Sequence, residues 1–162
     1  MPVYILTLRI NGEAQAFFDT QRTAYFPKER NFLNAHLTLF HHLEQYDNVA
    51  ALIEGLKFEP FNLEISSMLF LGRGVAYKIE SEQLLVLRSQ IASQFWSGLT
   101  PQDRQKFQPH ITIQNKVDST TAKALFDELK QNFSPFRCTA IGLDIWEYLN
   151  GPWKHKRYFP FD

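Results

Sequence analysis

Two tetrapeptides carry the side chains best suited to acid–base work: His36-Leu37-Thr38-Leu39 and His110-Ile111-Thr112-Ile113. Apolar and polar residues alternate in both, and the apolar ones are β-prone. Each therefore reads as a strand with imidazole and hydroxyl on one face and aliphatics on the other. Positions i and i+2 of a strand lie about 6.6 Å apart, which sets ring and hydroxyl side by side. Unperturbed histidine titrates at a pH of about 6.5, so one ring of a pair can be neutral while the other is protonated. Facing each other across a cleft, two such rings suit in-line displacement at phosphorus. One takes the proton of the attacking water, and the other protonates the leaving oxygen. Hydroxyls on the same faces can donate to the non-bridging oxygens and stabilise developing charge. The scheme calls for no covalent nucleophile, no metal and no cofactor.

A single His-x-Thr is an ordinary amphipathic strand, so the case rests on the elements around the two copies. Residues 3–10 alternate as a strand, and Ala14, Phe17, Phe18, Ala24 and Tyr25 fit one side of a helix that Pro27 stops. A polar loop from Lys28 to Asn34 leads into the first His-x-Thr strand. Asp47 is placed to cap a short helix presenting Val49, Leu52, Ile53 and Leu56. Residues 60–70 read as a strand, and Gly72-Arg73-Gly74 as a turn into another at 75–80. Ser81 precedes a helix carrying Leu84, Leu87, Ile91 and Phe95. The polar loop 98–108 then delivers the second His-x-Thr strand. Asp118 or Ser119 caps a helix with Ala122, Leu125, Phe126, Leu129 and Phe133 on one face, and 137–148 returns to strand. Asn150-Gly151 is a hairpin dipeptide before a last strand at 153–160.

The order strand, helix, His-x-Thr strand, helix, strand thus fills 3–70 and again 75–148. Phe58-Glu59-Pro60-Phe61 lies 22 residues after His36, and Phe133-Ser134-Pro135-Phe136 lies 23 after His110. Tyr4 and Tyr77 fall at similar places in the two opening strands. The expected organisation is one bilobal domain over 1–162, of α+β class: two pseudo-symmetric lobes, each an antiparallel-rich sheet with helices outside, and a cleft between them. A pseudo-twofold would turn the two His-x-Thr faces toward one another.

Bulk properties narrow the function. The chain is long enough for a substantial core, and its 17 basic and 17 acidic residues cancel, so any nucleotide or RNA must be held by a local site. The single Cys138 excludes an internal disulfide and, in an apolar run, reads as a buried thiol. The first residues lack the basic start of a signal peptide, and no apolar run approaches the ~20 residues of a membrane span. The expectation is a cytoplasmic protein with no membrane association, and no protein partner is identifiable.

His36-Leu-Thr-Leu and Pro109-His110-Ile-Thr-Ile, one per half and 74 residues apart, resemble the paired signature of the two-histidine phosphoesterase superfamily. That superfamily includes 2′-5′ RNA ligase-like proteins and cyclic phosphodiesterases. The resemblance covers the whole chain in layout and about ten residues in motif. It implies a bilobal fold with the site between the lobes, and metal-independent action on 2′,3′-cyclic phosphates or related nucleotide or RNA-end phosphodiesters. It places His36, Thr38, His110 and Thr112 on the phosphate, with His110 as base and His36 as acid. Ala35 stands where proline is frequent in the family. The 2′-5′ ligase direction, with a ribose hydroxyl in place of water, uses the same groups, and a non-catalytic nucleotide or RNA-end binding module is the rival of another class.

Four further residues are candidate substrate contacts. Lys116, on unbroken alternation, shares the face of His110, Thr112 and Gln114. Arg73 sits in a Gly-Arg-Gly turn, and Tyr4 and Tyr77 would flank the histidine strands. Each has a plain alternative: a solvated lysine, a surface turn, packed rings. A metal set drawn from His36, His41, His42 and His110 lacks carboxylate support, and alternation puts His41 on the face opposite His36. The run Trp153-Lys-His-Lys-Arg-Tyr158 fits an RNA-contacting edge and a charge-protected edge strand equally well.

Overall fold

The computed structural model describes all 162 residues, Met1–Asp162. Seven strands form one wholly antiparallel sheet: β1 (Tyr4–Ile10), β2 (Leu37–Leu43), β3 (Phe61–Phe70), β4 (Val75–Glu80), β5 (His110–Gln114), β6 (Phe136–Tyr148) and β7 (Trp153–Pro160). Five α-helices join them: α1 (Gly12–Tyr25), α2 (Tyr46–Glu54), α3 (Glu82–Phe95), α4 (Pro101–Arg104) and α5 (Ser119–Asn132). The α+β class read from the periodicity is the observed one. No helix is long and apolar enough to cross a membrane.

The strand order is β2-β1-β6-β3-β4-β5, with β7 also on β6. Exchanging β1 with β4, β2 with β5 and β3 with β6 returns the same order reversed. The duplicated sequence pattern is therefore a palindrome in space. β6 joins the halves. Its residues 140–147 pair with β1, while its other edge takes β3 along 136–140 and β7 along 142–148. The sheet curls until its end strands, β2 and β5, come within 8 Å Cα to Cα. At the β4 start the chain runs so close to β5 that a Cβ on Gly74 would collide with the Gln114 carbonyl, so only glycine fits.

Local signals explain most boundaries. The Ser81 hydroxyl accepts from Leu84 N and the Asp118 carboxylate from Thr121 N, capping α3 and α5 as expected. Asp47 lies inside the first turn of α2 and does not cap it; Gln45, in a left-handed conformation, starts that helix. The Phe58–Phe61 and Phe133–Phe136 corners both hand a helix to a strand, α2 to β3 and α5 to β6. Helix α4 arises inside the segment read as a plain loop. Its signal is Thr100-Pro101-x-Asp103: the Thr100 hydroxyl accepts from Asp103 N, and proline occupies the first turn, where its missing N–H does no harm.

The helices interleave the halves. α1 packs on β5 and touches Tyr77 of the adjoining β4, where Phe18 stacks edge-on to the ring and Gln21 accepts from its hydroxyl at 2.8 Å. α3 and α4 reach β2 in turn. Tyr77 is 4% exposed in a cluster with Phe17, Phe18, Phe133 and Phe136, and burial raises its hydroxyl pKa to about 12. Cys138 is buried, which pushes its thiol up to about 11.

Candidate functional site

His36 stands just ahead of β2 and His110 opens β5, so the two motifs sit on the end strands that the curl brings together. Each ring is fixed the same way. His36 Nδ1 lies 2.8 Å from the Asn34 carbonyl and His110 Nδ1 lies 2.7 Å from the Gln108 carbonyl, two residues upstream in both cases. A carbonyl only accepts, so both rings carry the Nδ1 proton and leave Nε2 for a ligand. Thr38 and His110, from opposite halves, line one cavity of about 470 Å³.

Each motif strand contains a β-bulge one residue past its threonine. Thr7 faces Thr38 but Leu6 faces Phe40, making Leu39 the extra residue. Ala76 faces Thr112 but Val75 faces Gln114, making Ile113 the extra one. A bulge bends the strand and re-aims the side chains beyond it. It alters two expectations. Gln114 turns inward beside Val75 and is 4% exposed, so it does not share the Thr112 face. His41 turns onto the face of Thr38 and lines the cavity that holds Thr38 and His110, not the opposite face that strict alternation gives.

The bulged outer edges are closed by the other half. Arg22 of α1, 5% exposed, donates from Nε to Asn31 Oδ1 and the Leu33 carbonyl, and from Nη1 to the Thr112 carbonyl at 3.1 Å. One guanidinium thus ties the loop before His36 to the second motif. Burial lowers its pKa to about 10, which leaves it charged, with its plane over Phe26. Arg88 of α3 mirrors it, donating from Nε to the Leu39 carbonyl and from Nη2 to the Asp103 carbonyl. The Asp103 side chain, 1% exposed, accepts from the backbone N–H groups of His41 and His42 and from His41 Nδ1. Burial raises the Asp103 pKa, but these bonds outweigh it and hold the group below the usual carboxylate range.

His36 and His110 differ in surroundings. Protein encloses His36 on most sides while part of the ring opens to the cleft, and this desolvation lowers its pKa to about 4 against the raising effect of the Asn34 bond; nearby Arg22, His41 and His110 add to the lowering. The Trp153 ring lies 4.7 Å from it. Trp146, Trp153, Phe32 and Arg9 line a second cavity of about 320 Å³ beside His36, and there Asp144 accepts from both Arg9 and His155. Thr7, on the same face, accepts from Trp146 Nε1 at 2.8 Å. His110 is exposed, and the register sets Lys78 beside it.

The other sequence candidates lie apart from the cleft. Tyr77 pairs with Ile111, which puts it on the helix-covered face. Tyr4 alternates with Leu6 and Leu8 and packs on Tyr46, so the two tyrosines neither match in register nor flank the histidines. Arg73 Nε donates to the Val117 carbonyl and secures the chain beyond β5. Lys116 comes after the end of β5 with φ +64°, which breaks the alternation that would have put it on the His110 face, and its side chain is exposed. Residues that the pattern missed, Asp103, Trp146, Asp144 and Arg9, come from elements distant in sequence. The Thr-Pro-x-Asp cap was the only local signal for any of them. A larger cavity of about 640 Å³, lined by Phe58, Phe61 and Phe161, holds neither histidine motif.

The model of the 2′-5′ RNA ligase superfamily matches residues 11–152. The chain belongs to that superfamily. Its members' fold is also found by structure. Escherichia coli LigT complexed with 3′-AMP superposes with a TM-score of 0.67 at 17% identity, with 99% of each chain covered. TT0787 of Thermus thermophilus gives 0.68 at 15% identity, covering 98% of this chain and 97% of that one. A search of curated proteins found no match. Superfamily membership makes this chain an enzyme of the two-histidine phosphoesterase type.

Proposed function

We propose that the protein opens 2′,3′-cyclic phosphates of nucleotides or RNA ends by paired-histidine catalysis. The observation that carries the reading is the matched pair of Nδ1-to-carbonyl bonds on His36 and His110, which frees Nε2 on two rings carried at the end strands that the curl brings together. Water attacks phosphorus as Nε2 of one ring takes its proton. The P–O2′ bond breaks, and Nε2–H of the other ring protonates that oxygen, giving a 3′-phosphate. The hydroxyls of Thr38 and Thr112 donate to the non-bridging oxygens.

The environment of His36 favours it as the base, because a ring with its pKa near about 4 is neutral at neutral pH. Exposed His110 then delivers the proton. This reverses the roles drawn from the family resemblance, and its physical cause is the fuller enclosure of the His36 ring. In support of the product class, E. coli LigT has been crystallised with 3′-AMP, and also with NADP+ and ATP. For the 2′-5′ ligation after which the superfamily is described, a ribose 5′-hydroxyl would replace water and the P–O3′ bond would break instead, leaving phosphorus on O2′ and the proton on O3′.

The test is incubation of the purified protein with 2′,3′-cyclic nucleotides in a chelator, with products read by phosphorus NMR. Ring-opened monoester is expected. No turnover, or turnover unaffected by His110→Ala, overturns the reading.

A further inference from the structure

Two cavities flank the histidine pair, and their linings differ. On the His36 side, Trp146, Trp153 and Phe32 supply flat apolar surfaces, and the charges of Arg9 and Asp144 cancel at 2.7 Å. On the His110 side the lining is polar: His41, Lys106, Arg88 and the amides of Gln102, Gln105 and Gln108, against the single carboxylate of Asp103. Asp103 is 1% exposed and accepts from the backbone N–H groups of His41 and His42 and from the His41 ring, so its oxygens are already engaged by donors and covered from the cavity.

His41 is the distinguishing group. Its Nδ1 donates to buried Asp103 at 3.1 Å, and the side chain is 47% exposed. Ring orientation is therefore set from below, and Nε2 is the nitrogen left for a ligand. A ring oriented on one side by a carboxylate presents its other nitrogen in a fixed direction, where it can bond an anionic group of a substrate. In the pseudo-symmetric strand the corresponding position is Asn115, whose side chain is turned to the N–H of Lys116. The feature belongs to one half only.

We infer that the cavity lined by His41, Lys106 and the three glutamines is a subsite for a second phosphate group of the substrate, with His41 Nε2 and Lys106 as its donors. This rests on the reading of the histidine pair as the site of phosphate-ring opening. It implies that the preferred substrate is a cyclic phosphate bearing another phosphate, either a 5′-phosphate or an internucleotide diester, and not a bare nucleoside cyclic phosphate.

The experiment compares kcat/KM for adenosine 2′,3′-cyclic phosphate, its 5′-phosphorylated form and the ApA 2′,3′-cyclic phosphate dinucleotide. Wild type should prefer the phosphate-bearing substrates by about tenfold to a hundredfold, the effect of one or two charge-assisted bonds. His41→Asn retains a donor for Asp103 while deleting the distal nitrogen, so the fold persists and the preference should fall toward one, through KM. Lys106→Ala should reduce it part-way. The ratio between the two extended substrates tells whether the group is a terminal phosphate or a diester. A wild type without preference, or a His41→Asn preference equal to that of wild type, overturns the subsite. If cyclic phosphates are not opened at all, calorimetry with adenosine 3′,5′-bisphosphate against 3′-AMP reads the same ratio on wild type and His41→Asn. Equal affinities there reject the subsite independently of the activity.

Discussion

The two histidine motifs are built alike and housed differently. Each has a ring bonded through Nδ1 to a carbonyl two residues back, a bulge one residue past its threonine, and a buried arginine arriving from the other half. Yet His36 lies enclosed beside Trp153, while His110 stands exposed beside Lys78. Twofold symmetry on its own would give two equivalent rings, and equivalent rings have no preference for which takes a proton and which gives one. The closer enclosure of His36 breaks that equivalence. The shared geometry frees Nε2 on both rings, and the unshared surroundings make the two rings inequivalent.

Removing one ring at a time tests this pairing most severely. His36→Ala and His110→Ala should each lower kcat for cyclic phosphate opening by about a hundredfold to ten-thousandfold, measured in single turnover, with the double variant scarcely worse than either. Losses that multiply would mean the rings do not act as a unit.

Next come the arginines that lock the halves. Arg22→Ala leaves the half-buried Thr112 and Leu33 carbonyls without this donor, and should cost about 3 kcal/mol in urea unfolding. Arg88→Ala should cost a similar amount, and a much smaller loss for one would show that the mirror-image bonds are unequal in energy.

A third test reads the burial of His36 through pH. The folded-state pKa is about 4 against an ordinary 6.5, so between those values the unfolded chain holds a proton that the folded chain lacks. Stability should therefore fall as pH drops below 6.5 and level off once pH passes about 4. His36→Asn should remove up to about 2 kcal/mol of that acid-side loss in thermal melts at pH 7 and pH 4.5, the partial exposure of the ring reducing the full effect. His110→Asn serves as the comparison across the same two pH values.

The smallest effect concerns the residue before each histidine. Pro109 precedes His110, but Ala35 precedes His36, and Ala35 N donates to Asp19 Oδ1 at 2.8 Å while Gln15 donates to the Ala35 carbonyl. Proline has no N–H to give. Ala35→Pro should destabilise by about 1 kcal/mol, and the departure from the family pattern is thereby explained by a bond to α1. An unchanged or raised Tm would refute that account.

Much was legible in the residues alone. Period-two alternation placed His36 with Thr38 and His110 with Thr112, and the repeated Phe-x-Pro-Phe corners fell at equivalent helix-to-strand joints. Such signals are local, so a single chain displays them without its partners. Alternation failed at His41, Gln114 and Lys116, because one bulged residue or one left-handed residue reverses the face of every later position in the strand, and no pattern in the sequence marks either. Tyr4 and Tyr77 looked equivalent by position in their strands, yet register is set by the neighbouring strand and separates them.

The elements, the duplication and the residue types that can move protons at phosphorus were thus written into the order of the amino acids. Packing settled the rest: that α1 crosses to β5, that Arg22 and Arg88 close the motif edges, that Asp103 lies beneath His41, and that His36 is the more enclosed of the two rings. Those outcomes depend on burial and on hydrogen bonds between residues as far apart as Arg22 and Thr112, 90 positions along the chain. Desolvation and long-range pairing act only once the chain is packed.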